Sequence, residues 1–378
     1  MAILSKHRLR ATWFQVHKWI GLALAVLIVP LCLSGSWLVY ADAIDAAMHP
    51  ERRSEVAPAL APSAYAAAAR EHAPGGQRLV SLTLPAEGAV VANLAAPPRP
   101  GGGRPVRSTL WLDPADGQLL GRSAPGGGVT ATIHSLHGNL LVPGAGRQLV
   151  GGIGLAMLVS SLTGLWLWWP FKGGFRRGLR WKRAPDLSGN LHHLGGFWIC
   201  LPLAVLSLTG AWIAFPALFA ALSGDPAPQP RRAPPAPVVA PRLSPDEAVR
   251  LASPLAQGRL ASIAWPAGPD ARWKIGYQGA GEVLVDDRNG RASLPRPPQP
   301  PTIARLMRRI HEGEAGGALW KLVVFVGGLI PAALAVTGVL MWWNSRVRSD
   351  AMSRRHEKRR GDASAPGQAD LDVSGASL

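Results

Sequence analysis

The chain is 378 residues long, 48% hydrophobic, with a formal net charge of +17 at pH 7 and two cysteines. That length would suit two or three soluble domains, but the hydrophobicity is gathered into four runs, near 19–40, 149–169, 196–220 and 319–343. Each run, at about 20 residues, can cross roughly 30 Å of hydrocarbon as a helix, so a wholly soluble chain is excluded. Cys32 and Cys200 lie inside runs, which excludes a disulfide framework and a CxxC site. The surplus of Lys and Arg sits in short segments beside the runs, above all Lys172, Arg176, Arg177, Arg180, Lys182 and Arg183. This is the positive-inside distribution, so anionic lipid is an expected partner and nucleic acid is not.

In chain order, residues 1–41 are a basic lead and a first membrane helix from about His17 to Tyr40. The run is too long for the apolar core of a cleavable leader and is read as retained. Residues 42–130 form a first exported insertion, with a helix over 62–72 and strands over 79–84, 89–94 and 108–112. Asp113-Pro114-Ala115-Asp116-Gly117 turns the chain into a further strand, and Pro97–Pro105 is a hairpin loop or linker. Residues 131–170 hold the second membrane helix, with His134, His137 and Gly138 at its head and Pro170 at its end. Residues 171–191 are the basic connector, and 192–220 the third membrane helix. Residues 221–306 begin with an extended linker over 225–242. A helix capped by Ser244 with Glu247 three residues on comes next, then strands over 260–265, 272–277 and 282–285. Residues 307–344 hold the fourth membrane helix, and 345–378 a polar tail expected to be disordered. The termini and the connector are expected in the cytoplasm.

The chain repeats itself. Two stretches, His137–Pro170 and His311–Asn344, match without a gap: His137 meets His311, Arg147 meets Lys321, Thr163-Gly164 meets Thr337-Gly338, and Trp168-Trp169 meets Trp342-Trp343. Residues 17–37 match 192–212 in the same way, His17 with His192 and Gly35-Ser36-Trp37 with Gly210-Ala211-Trp212. The expected fold is therefore a membrane all-α four-helix bundle of two tandem two-helix repeats. Its pseudo-two-fold axis runs along the membrane normal, and it carries two small α+β insertions.

Such an axis brings each histidine to its own counterpart. His17 then faces His192 at one level, and His137 faces His311 at the other. Two neutral imidazoles from opposite sides suit the axial positions of a haem iron, whereas two ligands per level are too few for a closed zinc site. His134 and His193 align with Arg308 and Lys18, so the repeat does not support them as ligands; substitution for His137 or His192, or a hydrogen bond to a haem propionate, stays open to each. Gly35 and Gly210 lie about 18 residues from the inner histidines, roughly 27 Å along a helix. That sets them near the outer pair, with Gly164 and Gly338 near the inner one, either making room for a flat macrocycle or packing helix on helix. Arg147 and Lys321 are matched cations at the outer level, for haem propionates or for lipid headgroups.

The four-helix layout, the HxxxG…(S/T)G and H…TGxxxWW patterns and the SPDEA element starting at Ser244 resemble the PepSY-associated transmembrane family, over nearly the whole chain. That group includes inner-membrane ferric-siderophore reductases and iron-uptake-associated proteins. The resemblance implies PepSY-like periplasmic insertions, two b-type haems and a bacterial inner-membrane location. It also implies electron transfer to a ferric siderophore, with His17, His192, His137 and His311 at the ligand positions. No catalytic residue is identified, and the electron donor stays open between a quinol and a cytoplasmic reductase. Two alternatives stand beside this reading: a haem-containing redox partner of another exported enzyme or of the quinol pool, and a non-enzymatic module restraining a periplasmic partner. No GxGxxG nucleotide site occurs in the chain.

Overall fold

The computed structural model describes residues 6–97, 106–123, 128–170, 175–226, 238, 240–269, 271–279, 281–296 and 302–364. In chain order these form α1 (Lys6–Val39), α2 (Ala41–Met48), a 3-10 turn (Pro50–Arg52) and α3 (Pro62–Glu71). Strands β1 (Arg78–Thr83), β2 (Val90–Ala95), β3 (Arg107–Leu112) and β4 (Leu119–Arg122) follow. Then come α4 (Gly128–Asn139), α5 (Gly146–Trp168), α6 (Phe175–Gly178), α7 (Leu187–Ala214), α8 (Pro216–Ser223) and α9 (Pro245–Ala252). A second set of strands, β5 (Leu260–Ala264), β6 (Arg272–Tyr277), β7 (Gly281–Asp286) and β8 (Ala292–Ser293), precedes α10 (Ile303–His311) and α11 (Gly317–Ser364).

Helices α1, α5, α7 and α11 are long and apolar enough to cross a membrane. Pro30, Pro202 and Pro331 lie inside three of them, as membrane helices tolerate where neighbours take up the freed carbonyls. Three boundaries differ from expectation. His137 and His311 do not open the membrane helices but sit on the separate helices α4 and α10. The third membrane helix stops at Ala214 rather than 220, because Pro216 disfavours helical geometry at Phe215 and starts α8 instead. The tail expected to be disordered from 345 continues α11 as helix to Ser364, while 365–378 lie outside the described residues. So do most of the two Pro-rich linkers, 98–105 and 227–237.

The chain divides into two compact units. The first comprises residues 1–32, 155–207 and 327–378. Its connector is held by polar contacts rather than by packing alone. Arg183 donates to the carbonyls of Trp168 (3.0 Å) and Gly178 (3.2 Å). Buried Asn190 accepts from the backbone N–H groups of Arg183 and Ala184 at 2.8 and 2.9 Å. Asp186 accepts from the Gly189 N–H at 2.7 Å at the start of α7 and pairs with Arg348 at 3.0 Å.

The second unit, 33–154 with 208–326, contains the sheet. Here the expectation of two separate insertions is corrected. All eight strands join one antiparallel sheet in the order β4-β3-β2-β1-β5-β6-β7-β8. The seam is β1 against β5, with Leu82 opposite Ile263, and Ser81 and Thr83 opposite Ala264 and Ser262. Each insertion alone would leave β1 or β5 as a bare edge, and pairing the two edges satisfies both ladders. One core results, in which Tyr65 and Ala69 of α3, Ala248 of α9, and Leu82, Leu110, Ile263 and Trp273 from the strands are buried together. The Tyr65 hydroxyl accepts from the N–H groups of Ala59 (3.0 Å) and Leu60 (3.1 Å) and donates to the Pro114 carbonyl. In the second half, the Trp273 indole donates to buried Asp287 at 2.9 Å. That carboxylate also takes the N–H groups of Arg242 and Leu243. Helix α9 starts with the capping box expected of Ser244 and Glu247.

Candidate functional site

Four helices build the first imidazole site, within the first unit, two supplying the rings and two their Nδ1 partners. His17 lies on α1 and His192 on α7, with ring centroids 6.2 Å apart and planes at 83°. The His17 Nδ1 lies 3.0 Å from the Ser160 carbonyl and 3.3 Å from the Thr163 hydroxyl, both on α5. A carbonyl only accepts, so this Nδ1 carries the proton and Nε2 keeps its lone pair. His192 reaches the same state through α11. Its Nδ1 lies 3.1 Å from the Thr337 hydroxyl, which itself donates to the carbonyls of Ala333 (2.9 Å) and Leu334 (3.1 Å) and so accepts from the ring.

The second unit repeats the arrangement. His137 and His311 have ring centroids 6.0 Å apart with planes at 37°. The His137 Nδ1 lies 3.4 Å from the Ser34 hydroxyl of α1, and the His311 Nδ1 lies 3.1 Å from the Thr209 hydroxyl of α7. Each imidazole is thus presented by one helix and contacted at Nδ1 by another.

The glycines explain how the rings come so close to the partner helices. A Cβ on Gly35 would lie 2.8 Å from the Cε1 of His137, and one on Gly210 would lie 3.0 Å from the Cε1 of His311. At the other pair, a Cβ on Gly164 would meet His17 at 3.1 Å, and one on Gly338 would meet His192 at 3.5 Å. The space each glycine leaves is filled by an imidazole edge. These contacts are close helix-to-helix approaches in which the glycines seat the histidines.

Residues 14–345 match the family model described as PepSY-associated TM region. The chain belongs to this family. No curated protein matches it. It is a membrane protein, and within the PepSY-associated TM region lie all four paired histidines and their four glycines.

The remaining candidates in this PepSY-associated TM chain are placed as follows. Exposed His134 and half-buried His193 do not enter either ring pair. His193 instead lines a cavity of about 380 Å³ with His7, Arg10 and Phe14. Arg147 donates to the Ile213 carbonyl, and the Lys321 ammonium lies 5.1 Å from the Tyr40 ring centre, so the matched cations are not used alike. Sequence reasoning missed Ser34, Thr163, Thr209 and Thr337 as Nδ1 partners. Their signal was in plain view, a hydroxyl residue directly before each of the four glycines. Among the described residues no group of three His, Cys, Asp or Glu side chains gathers to hold a metal ion.

Proposed function

We propose that this protein is a membrane electron carrier with two b-type haems that reduces the ferric iron of a siderophore complex. The observation that carries the reading is the spacing of the two ring pairs. A bound imidazole nitrogen lies about 2 Å from its metal and roughly 1.1 Å from its ring centre, so rings on opposite sides of one iron have centroids roughly 6 Å apart. Both pairs, at 6.2 and 6.0 Å, have that separation. Two buried indole N–H groups, of Trp37 and Trp168, lack an acceptor among the described residues.

Haem bound in these sites would supply one-electron chemistry between ferrous and ferric iron. The rest belongs to the chain. His17 with His192 and His137 with His311 are the residues that would hold the haems. The Ser160 carbonyl and the Thr337 hydroxyl, accepting from the Nδ1 groups of His17 and His192, would keep Nε2 basic in the first pair. The apolar helices exclude water, which lowers the dielectric around both sites. Arg147 and Lys321, in the same unit as the outer pair, are the cations proposed for haem propionates. In the proposed topology the four membrane helices form a bundle about an axis along the membrane normal. It lies in a bacterial inner membrane with both termini in the cytoplasm and the sheet in the periplasm. One electron delivered to Fe(III) gives Fe(II), which oxygen-rich chelators hold less tightly, so the metal is released. The donor is a quinol or a cytoplasmic reductase.

The test is direct. Purified protein reduced with dithionite, freed of excess reductant and mixed with a ferric siderophore should be reoxidised, and a chromophoric trap should recover an equivalent amount of Fe(II). Reduced protein that stays reduced before a panel of hydroxamate and catecholate chelates contradicts the substrate assignment.

A further inference from the structure

Helix α10 divides its residues by character. Ile303, Leu306, Met307 and Ile310 lie on one face, and Arg305, Arg308 and Arg309 on the opposite one. Both of its ends are tied. Asp225, just past α8, accepts from the Ala304 N–H at 3.1 Å, and the Trp320 indole of α11 donates to the Ile310 carbonyl at 2.7 Å. Helix α8 itself follows α7 after one residue, so both short helices adjoin the ends of helices long enough to cross a membrane.

The apolar face of α10 is only half used by the protein. Met307 and Ile310 are half-buried, whereas Ile303 and Leu306 are 39% and 44% exposed. On α8, Leu218 and Leu222 are 53% and 71% exposed. Arg308 pairs with Glu312 at 3.0 Å, while Arg305 and Arg309 are exposed on the flank that continues from Leu306. Three arginines in a nine-residue helix are also unexpected here. By the charge distribution of the chain this is the side of the membrane that the positive-inside rule leaves poor in Lys and Arg.

We propose that α8 and α10 form an interfacial shelf that binds anionic phospholipid. Arg305 and Arg309 meet headgroup phosphates, and Ile303, Leu306, Leu218 and Leu222 enter the boundary with the acyl chains. A soluble protein partner fits less well, because both helices are fastened to the termini of spanning helices, where headgroups lie. Since α10 ends on His311, the shelf also anchors the helix that presents one imidazole of the outer pair. The proposal does not depend on haem.

Its test places an environment-sensitive dye on Leu306→Cys in the full chain, with the parent protein as the control for labelling at Cys32 and Cys200. The labelled protein is reconstituted into vesicles of phosphatidylcholine and phosphatidylglycerol, with bromine on the upper acyl carbons of one lipid or the other. Brominated phosphatidylglycerol should quench the dye about threefold more than an equal fraction of brominated phosphatidylcholine. The difference should vanish in Arg305→Gln/Arg309→Gln and shrink as salt is raised with the arginines intact, a comparison that needs no further variant. Stronger quenching by aqueous iodide than by either lipid overturns the interfacial placement. Equal quenching by the two lipids with the arginines intact overturns the anionic preference.

Discussion

Replacing Gly35 by alanine tests how closely the outer imidazole is fitted to its neighbouring helix. The added Cβ would stand 2.8 Å from the His137 Cε1 and 3.2 Å from its Nδ1. Carbon atoms rest at about 3.5–4.0 Å, so the ring must retreat by roughly 0.7–1.2 Å. It must do so while keeping its contact to Ser34, on the residue before the substitution. A retreat of that size is comparable to half a metal–nitrogen bond, and disturbing such a support typically costs about 10–100-fold in affinity. Gly35→Ala should therefore lose the outer haem by at least about tenfold. Gly210→Ala and Gly164→Ala, at 3.0 and 3.1 Å, should fall between it and Gly338→Ala, whose Cβ already sits at an ordinary 3.5 Å. Alanine favours a helix by about 1 kcal/mol over glycine, so helix propensity works against the expected loss and does not mimic it. Haem per chain by pyridine haemochrome, with low-temperature electron paramagnetic resonance to separate the two low-spin centres, gives the ranking. Four indistinguishable variants, or Gly338→Ala as the worst, would refute the reasoning.

His137→Ala and His311→Ala should each lower the haem content from two to one per chain, with the surviving spectrum the same in both. Different survivors would break the pairing. Thr337→Val keeps the shape of the side chain but removes the acceptor for the His192 Nδ1, so the inner site should lose about tenfold in affinity and its midpoint potential should rise as the ligand becomes less basic. An unchanged potential would deny the hydroxyl a tuning role. The Gly189 N–H, and then Arg348, hold the Asp186 carboxyl below the usual carboxylate range. A depressed carboxyl stabilises the fold above its unfolded value and loses that contribution as pH falls through its folded value. Thermal melts of detergent-solubilised protein should therefore drop on the acid side, below the ordinary carboxylate range, more steeply in the parent than in Asp186→Asn. Parallel curves would mean the tie carries no stability. Ile263→Ala removes a buried side chain at the β1–β5 seam and should cost about 2–5 kcal/mol. Hydrogen exchange should quicken in β1–β2 and β5–β6 together, whereas quickening confined to β5–β6 would mean two independent halves.

What the sequence exposed and what it hid have physical causes. The membrane helices announce themselves by composition, and the internal repeat marks which histidines correspond, since both are properties of neighbouring residues or of a fixed offset. Strand positions were legible too. The expected strand over 272–277 coincides with β6, because alternation of Trp273 and Ile275 with Arg272 and Lys274 is a local signal. The partnership of Leu82 with Ile263 was not, because alternation says which face is buried and nothing about which distant edge completes the ladder. That is why two insertions were expected where one sheet formed. The glycines were found by their repetition, yet their neighbours were unreadable: whether an imidazole or another group fills the missing Cβ depends on side-chain direction across two helices. Ser34, Thr163, Thr209 and Thr337 were overlooked for a simpler reason, since a hydroxyl before a glycine in an apolar helix is common packing chemistry. Trp273 and Asp287 illustrate the reverse case. Their buried hydrogen bond joins residues 14 apart, close enough to guess, but the two extra backbone donors come from the linker before α9.

The central claim is that matched imidazoles hold iron porphyrin twice. Its most direct measurement is the optical spectrum of the protein purified from haem-sufficient cells, taken oxidised and reduced, with haem quantified against polypeptide. Two b-type haems per chain with low-spin reduced-minus-oxidised bands are the predicted result. A colourless preparation, or haem that persists when His17, His137, His192 and His311 are all replaced by alanine, would contradict it.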